Sequence, residues 1–325
     1  MRYGSIPGID KPVSRLVQGA MMISDGDRQA ASDKILDAME AAGITAVDTA
    51  HIYGGGGTDR ALGDWMRRRG NRDKIVIVAK GSHHNAERKR VTPFDIESDL
   101  HDTLARMRTD YVDLWMFHRD DPAQPVGPLM ETLARYVEKG MVRAFGGSNW
   151  TVPRIREARA WCAANGLPLF AASSPNFSLA EQIDSPWGDD CITISGPAHA
   201  ADRAWYAAEQ LPVLTWSSLA RGFFSGRISR ATFEQVRDKF EEHMIRCYVC
   251  EANWRRLDRA EELAAAKGVT VPQLALAWVM RQPLNLFALV GAFTPEEIQA
   301  NLAALDLPLT PAECDWLDLR CDSRG

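Results

Sequence analysis

The sequence predicts a (β/α)8 TIM barrel, with residues 1–325 forming a single domain. Eight short apolar runs recur along the chain, and each is followed by a segment of helical periodicity. Strands buried on both faces and joined by helices form parallel sheets. Eight such units match a barrel of roughly 250 residues, and the surplus length goes into loops.

The runs are RLVQGA from residue 15, ITAVDTA from 44, IVIVAK from 75, YVDLWMFH from 111, VRAFGGSN from 142, LFAASS from 169, PVLTWSS from 212 and LFALVGA from 286. Between them, Leu62, Trp65 and Met66, and likewise Leu100, Leu104 and Met107, fall at helical spacing. Helix starts are marked by TPFD at 92, TPEE at 294 and TPAE at 310. Each places Thr at the N-cap and Pro at the first helical position, and the last two add the Glu of a capping box. Between the seventh and eighth runs, SGRISRATFEQVRDKFEEHMIRCYVCEANWRRL is polar and weakly periodic. It reads as one long loop, with a helix beginning at AEELAAAKG. No linker divides the chain and no repeat is visible.

Composition excludes several function classes. A chain that is 46% hydrophobic and 25% charged is globular rather than disordered. The net charge of −5 and the absence of a dense basic block beyond short runs such as Arg67–Arg69 leave no footprint for nucleic acid. No window reaches the roughly 18 apolar residues of a membrane span, and the chain is expected to be cytoplasmic. The cysteines at 162, 191, 247, 250, 314 and 321 are scattered as reduced thiols are. Cys247 and Cys250 form a C-x-x-C without a second pair, and His83 and His84 are adjacent rather than one helical turn apart, so no metal site is expected. The sequence sets no oligomeric state.

In barrels of this kind the chemistry collects at the C-terminal ends of the strands. Asp48 and Tyr53 follow the second run, Lys80 ends the third, His118 ends the fourth, and Ser148 and Asn149 follow the fifth. A tyrosine becomes a usable acid only if its phenolate is stabilised, which a neighbouring ammonium does. A partly buried lysine keeps its charge when a carboxylate such as Asp48 stands beside it. His118 is then placed to hydrogen-bond and orient a carbonyl oxygen. The set describes protonation of a carbonyl oxygen as hydride reaches its carbon. The glycines Gly54 to Gly57 read as a hinge that turns the chain so that Tyr53 faces inward.

These segments resemble the aldo-keto reductase superfamily. DTAHIYGGGGTDRALGDWM, IVIVAK, DYVDLWMFH and GMVRAFGGSNW carry the resemblance, and TWSSLARGFFSGR and LVGAFTPEEIQANLAAL continue it, from about residue 15 to 308. The resemblance implies a catalytic set of Asp48, Tyr53, Lys80 and His118, with Tyr53 as general acid in reduction and general base in oxidation. It also implies a nicotinamide dinucleotide bound without a Rossmann unit, and no G-x-G-x-x-G follows any strand. Ser148 and Asn149 correspond to the pair that holds the carboxamide, with Ser174 where the family usually has Gln. Trp216 corresponds to the aromatic residue stacked on the nicotinamide ring. Ser217, Leu219 and Gly222 lie along the pyrophosphate, and Gly291 to Asn301 near the adenosine ribose. Glu297 and Phe293 stand where a 2'-phosphate would find cations, which speaks for NAD(H), whereas Arg227 can supply a positive charge. NADP(H) is the first expectation and NAD(H) the second.

For the substrate, His51, Trp150 and Trp187 are candidates to line the mouth. Arg119 reads as a loop ion pair, with binding of an anionic substrate as the alternative, and Trp115 as core. A carbonyl compound, sugar-like or otherwise, is the implied partner. Two rival readings remain: a Schiff-base lyase using Lys80 as nucleophile, and a regulatory subunit that holds cofactor but turns over slowly.

Overall fold

The structure, a computed structural model, describes residues 1–188 and 190–324. It opens with an antiparallel hairpin, β1 (Tyr3–Gly4) with β2 (Val13–Ser14). Eight parallel strands then close a barrel: β3 (Leu16–Gly19), β4 (Ala46–Asp48), β5 (Val76–Gly81), β6 (Val112–Phe117), β7 (Val142–Ser148), β8 (Ala172–Ser174), β9 (Val213–Thr215) and β10 (Leu286–Val290). They follow one another in chain order around the barrel, and β10 returns to pair with β3. Seven lie within the predicted runs, and β5 extends one residue past its run, to Gly81. The hairpin escaped prediction because two-residue strands carry no periodicity.

The hairpin has a positional role. Ile6, Ile9 and Val13 pack in one cluster with Val17, Val76, Leu114, Ala172, Leu214 and Phe287 inside the barrel. Ser14 and Thr45 exchange hydrogen bonds just before β4 begins. The N-terminal end of the barrel is thus plugged, and the mouth lies at the other end. Trp115, in mid-β6, is fully buried in the shell between strands and helices, as expected of a core residue.

The helices that wrap the barrel include α1 (Gln29–Ala41), α2 (Gly57–Arg69), α3 (Pro93–Met107), α4 (Val126–Glu138), α5 (Val152–Ala164) and α6 (Ala200–Glu209). The region between β9 and β10 differs from the expected loop. It holds two short helices, α7 (Phe233–Val236) and α8 (Glu242–Tyr248), and α9 already starts at Glu251 and runs to Lys267. The first turns of α9 bury Asn253 and Arg256 beside Trp254 and Leu257, so polar residues occupy its inner face and blur the apolar stripe. Next come α10 (Val271–Met280), α11 (Pro295–Asp306) and α12 (Pro311–Leu317). Thr92, Thr294 and Thr310 cap their helices as predicted. Only Thr310 completes the box, because the Glu297 carboxylate accepts instead from the Phe293 N–H, at 2.7 Å. Among the described residues, no single helix is long and apolar enough to cross a membrane.

Candidate active site

Strand register brings the first residues together. Asp48 pairs with Val78, and Lys80 with Met116. Side chains two apart on a strand share a face, so Lys80 and His118 join Asp48 on the same side at the mouth. The chain then leaves β4 and coils through a 3-10 turn, Tyr53–Gly56, in which Gly54, Gly55 and Gly56 have φ of +56°, +58° and +86°. Each is a left-handed position that costs a residue with a Cβ about 1–2 kcal/mol. Gly57 is different: its φ is helical, and a Cβ there would come within 2.7 Å of the Asp25 carboxylate. The turn folds Tyr53 back until the Lys80 ammonium is 5.2 Å from its ring centre.

Lys80 Nζ donates to Asp48 Oδ1 at 2.5 Å, with both side chains almost wholly buried. Burial works against the Lys80 charge, but attraction to Asp48 and Tyr53 outweighs it and holds the ammonium above its ordinary range. Burial likewise raises the Asp48 carboxyl, opposed by Lys80. The Tyr53 phenol is also raised, because burial exceeds the lowering effect of Lys80. Lys80 therefore tempers the phenol rather than bringing it below its usual value. His118 meets Tyr53 edge-on, with ring centres 5.8 Å apart. Burial first, then the positive charge of Lys80, holds His118 well below the usual imidazole range, so it is neutral at pH 7. A neutral ring has one N–H to donate. Nδ1 of His118 is buried and has no hydrogen-bond partner among the described residues.

At the next strand ends, Ser148 Oγ donates to the Ser174 carbonyl at 2.9 Å. Asn149 Nδ2 donates to the His118 carbonyl and to Ser148 Oγ, and its Oδ1 accepts from the Ile192 N–H. Both amide hydrogens of Asn149 are therefore engaged, and the free valences of the Ser148–Asn149 pair are acceptors. After β9, Trp216 is half-buried and its indole N–H lacks a partner among the described residues. Ser217, Ala220 and Arg221 all have positive φ, as does Gly222 at +96°. Three non-glycine residues in that region within five positions form a strained loop, a state that persists mainly at ligand-binding sites. Leu219 precedes its 3-10 turn. Past β10, Gly291 is exposed, Asn301 lies on α11, and Arg227 Nη2 stands 3.8 Å from Glu297 Oε1. An unpartnered indole, a strained loop and the N-terminus of α11 fit the ring, diphosphate and ribose of a dinucleotide.

The substrate candidates separate. Trp187 is 41% exposed and packs on Trp216, with ring centres 5.7 Å apart. Trp150 does not line the mouth. It is 1% exposed, packed between Phe117 and Phe170, and its Nε1 donates to the Arg119 carbonyl. His51 is drawn toward α3, with Nε2 3.1 Å from Asp102 Oδ2 and Nδ1 3.7 Å from Asp99 Oδ1. Sequence reasoning missed Asp190, which meets both His84 and Arg119. It also missed the packing of His83 against His118, with ring centres 4.7 Å apart. No local signal joins residues so far apart in the chain.

Comparison with known proteins agrees with this architecture. The chain is similar to the protein tas of Escherichia coli, 27% identical over 350 residues covering 95% of this chain and 94% of that one. It is also similar to a probable voltage-gated potassium channel subunit beta of Oryza sativa, 26% identical and covering 100% and 98% of the two chains. The solved glycerol dehydrogenase AKR11B4 of Gluconobacter oxydans superposes with a TM-score of 0.74 at 24% identity, over 97% and 93% of the chains, and so shares the fold. A family model described as the Aldo/keto reductase family matches residues 15–319, which include the eight barrel strands and every strand-end residue named above; the chain belongs to that family.

Proposed function

We propose that the protein transfers hydride between a nicotinamide dinucleotide and the carbonyl of an aldehyde or ketone, with Tyr53 as the acid in reduction and the base in oxidation. The observation that carries this reading is the buried Asp48–Lys80 pair held against Tyr53. The bound cofactor would supply or accept the hydride. The chain supplies the rest. Tyr53, protonated at neutral pH, gives its proton to the carbonyl oxygen, and Lys80 stabilises the phenolate left behind. His118, neutral, donates a hydrogen bond to the same oxygen and orients it. Trp216 would stack on the nicotinamide, Ser148, Asn149 and Ser174 would meet its carboxamide, and Ser217, Leu219 and Gly222 would border the diphosphate. Gly291, Glu297 and Asn301, with Arg227, would flank the adenosine.

The Arg227–Glu297 contact bears on cofactor choice. Arg227 supports the NADP(H) expectation only to the extent that its charge is free, and Glu297 partly meets it. This supports NAD(H) as the second reading. A Schiff-base role for Lys80 is disfavoured, because nucleophilic attack needs a neutral amine and Asp48 holds the ammonium. The test of the main reading is Tyr53→Phe. Turnover of an aldehyde panel should fall by at least a thousandfold while the cofactor dissociation constant stays within about twofold. Retention of turnover would remove Tyr53 as the acid. A wild-type protein that binds cofactor but turns over none of the panel would instead support the regulatory reading.

A further inference from the structure

We propose that Arg119 and His84 form an anion subsite beside the reacting carbonyl, so that the substrate is a carbonyl compound carrying a carboxylate. This rests on the oxidoreductase reading and names its substrate class.

Arg119 directly follows His118 and is 4% exposed. Its charge acts on both the Tyr53 phenol and the His118 imidazole. A buried guanidinium requires an anion, and its planar fork suits a carboxylate held through two parallel bonds. Arg119 lacks such a partner among the described residues. Nη1 donates to the His118 carbonyl at 3.0 Å, and the nearest carboxylate among the described residues is Asp190, with Oδ1 3.5 Å from Nε. Asp190 Oδ2 is much closer to His84 Nδ1, at 2.9 Å, while His84 Nε2 is buried without a hydrogen-bond partner among the described residues.

One carboxylate therefore sits between a guanidinium and an imidazole, close to the imidazole and barely within reach of the guanidinium. Asp190 lies on the irregular segment between β8 and α6, and its side chain is 29% exposed. Arg119 and His84 follow barrel strands β6 and β5. The carboxylate is the displaceable member, and the Arg119 guanidinium and the His84 imidazole are the built ones. Asp190 occupies the position that a substrate carboxylate takes when it closes the bidentate contact with Arg119. A neutral polyol has no carboxylate to make that bidentate contact.

The test compares kcat/KM for succinic semialdehyde and butanal, which have the same chain length and differ by the carboxylate. Arg119→Gln should lower the acid-to-neutral ratio by about 10- to 100-fold. Asp190→Asn should raise it, since the competing anion is gone. A ratio that stays within twofold in Arg119→Gln overturns the subsite. Should Arg119→Gln fail to fold, Asp190→Asn decides: an unchanged or lower ratio overturns the proposal. Butanal turnover reports on the oxidoreductase reading by itself. If neither aldehyde is reduced, that reading fails and the subsite is judged by thermal unfolding with succinate. Succinate should raise the Tm of the wild type and not that of Arg119→Gln, and equal shifts in both refute the subsite.

Discussion

Replacing Asp48 by Asn leaves the shape of the barrel mouth nearly unchanged and removes the carboxylate bonded to Lys80. The ammonium, 4% exposed, is then a buried charge without a counter-charge. Breaking such a pair by removing one member costs about 3–5 kcal/mol. The penalty has a pH signature that a packing defect lacks. In the wild type the Lys80 pKa is raised, so its contribution is fully present below the ordinary lysine value of 10.5 and is lost only as pH rises through the higher folded value. In the variant, burial acts unopposed by Asp48 and depresses the lysine, so the penalty is full at low pH and fades as rising pH lets the amine lose its proton. Urea unfolding at pH 7 and pH 10 measures this directly. The gap between wild type and Asp48→Asn should be about 3–5 kcal/mol at pH 7 and should shrink by at least half at pH 10. Aldehyde turnover at pH 7 should fall about 10²–10³-fold, because a depressed Lys80 stabilises the phenolate less. A gap below about 1 kcal/mol at pH 7, or one that does not change with pH, would refute the claim that a buried charge pair organises this site.

Three further outcomes follow from the same geometry. His118, held well below the imidazole range by burial, stays neutral in the folded state while the unfolded chain protonates near pH 6.5. Stability should therefore fall from pH 7 to 5, and His118→Asn should flatten that slope in urea titrations, with an unchanged slope counting against the buried neutral ring. Trp150→Ala should cost about 3–5 kcal/mol through the cavity it opens, yet leave the KM of a small aldehyde unchanged; a large KM effect would return Trp150 to the substrate mouth. Glu297→Gln removes a charge worth about 1 kcal/mol at 4 Å in water, which predicts NADPH binding about fivefold tighter with little change for NADH. Equal NADPH dissociation constants for variant and wild type would limit Glu297 to capping α11.

Legibility in the sequence followed the range of the interaction involved. The barrel strands were readable because burial on both faces leaves uninterrupted apolar runs such as IVIVAK, and helix starts were readable because Thr-Pro capping is settled within four residues. The start of α9 was not, because its buried face includes Asn253 and Arg256, whose polarity is satisfied by partners distant in sequence: Asn253 bonds the Glu181 backbone and Arg256 reaches Asp318. Trp150 was misplaced for a related reason. A tryptophan after a strand end gives no local sign of whether it turns toward the mouth or toward Phe117 and Phe170.

By itself, the sequence determined the eight strands, the strand ends at which Asp48, Lys80, His118, Ser148 and Asn149 stand, and the glycines that let Tyr53 turn back. Each of these depends on local periodicity or on the backbone freedom of single residues. Only the tertiary structure decided which of those groups share a charge or a proton. Barrel register set Lys80 against Asp48, burial made His118 neutral and raised the Tyr53 phenol, and the packing of separate loops set Asp190 between His84 and Arg119. Desolvation and Coulomb terms depend on three-dimensional distance and on exclusion of water, and neither is written in the spacing of residues along a chain.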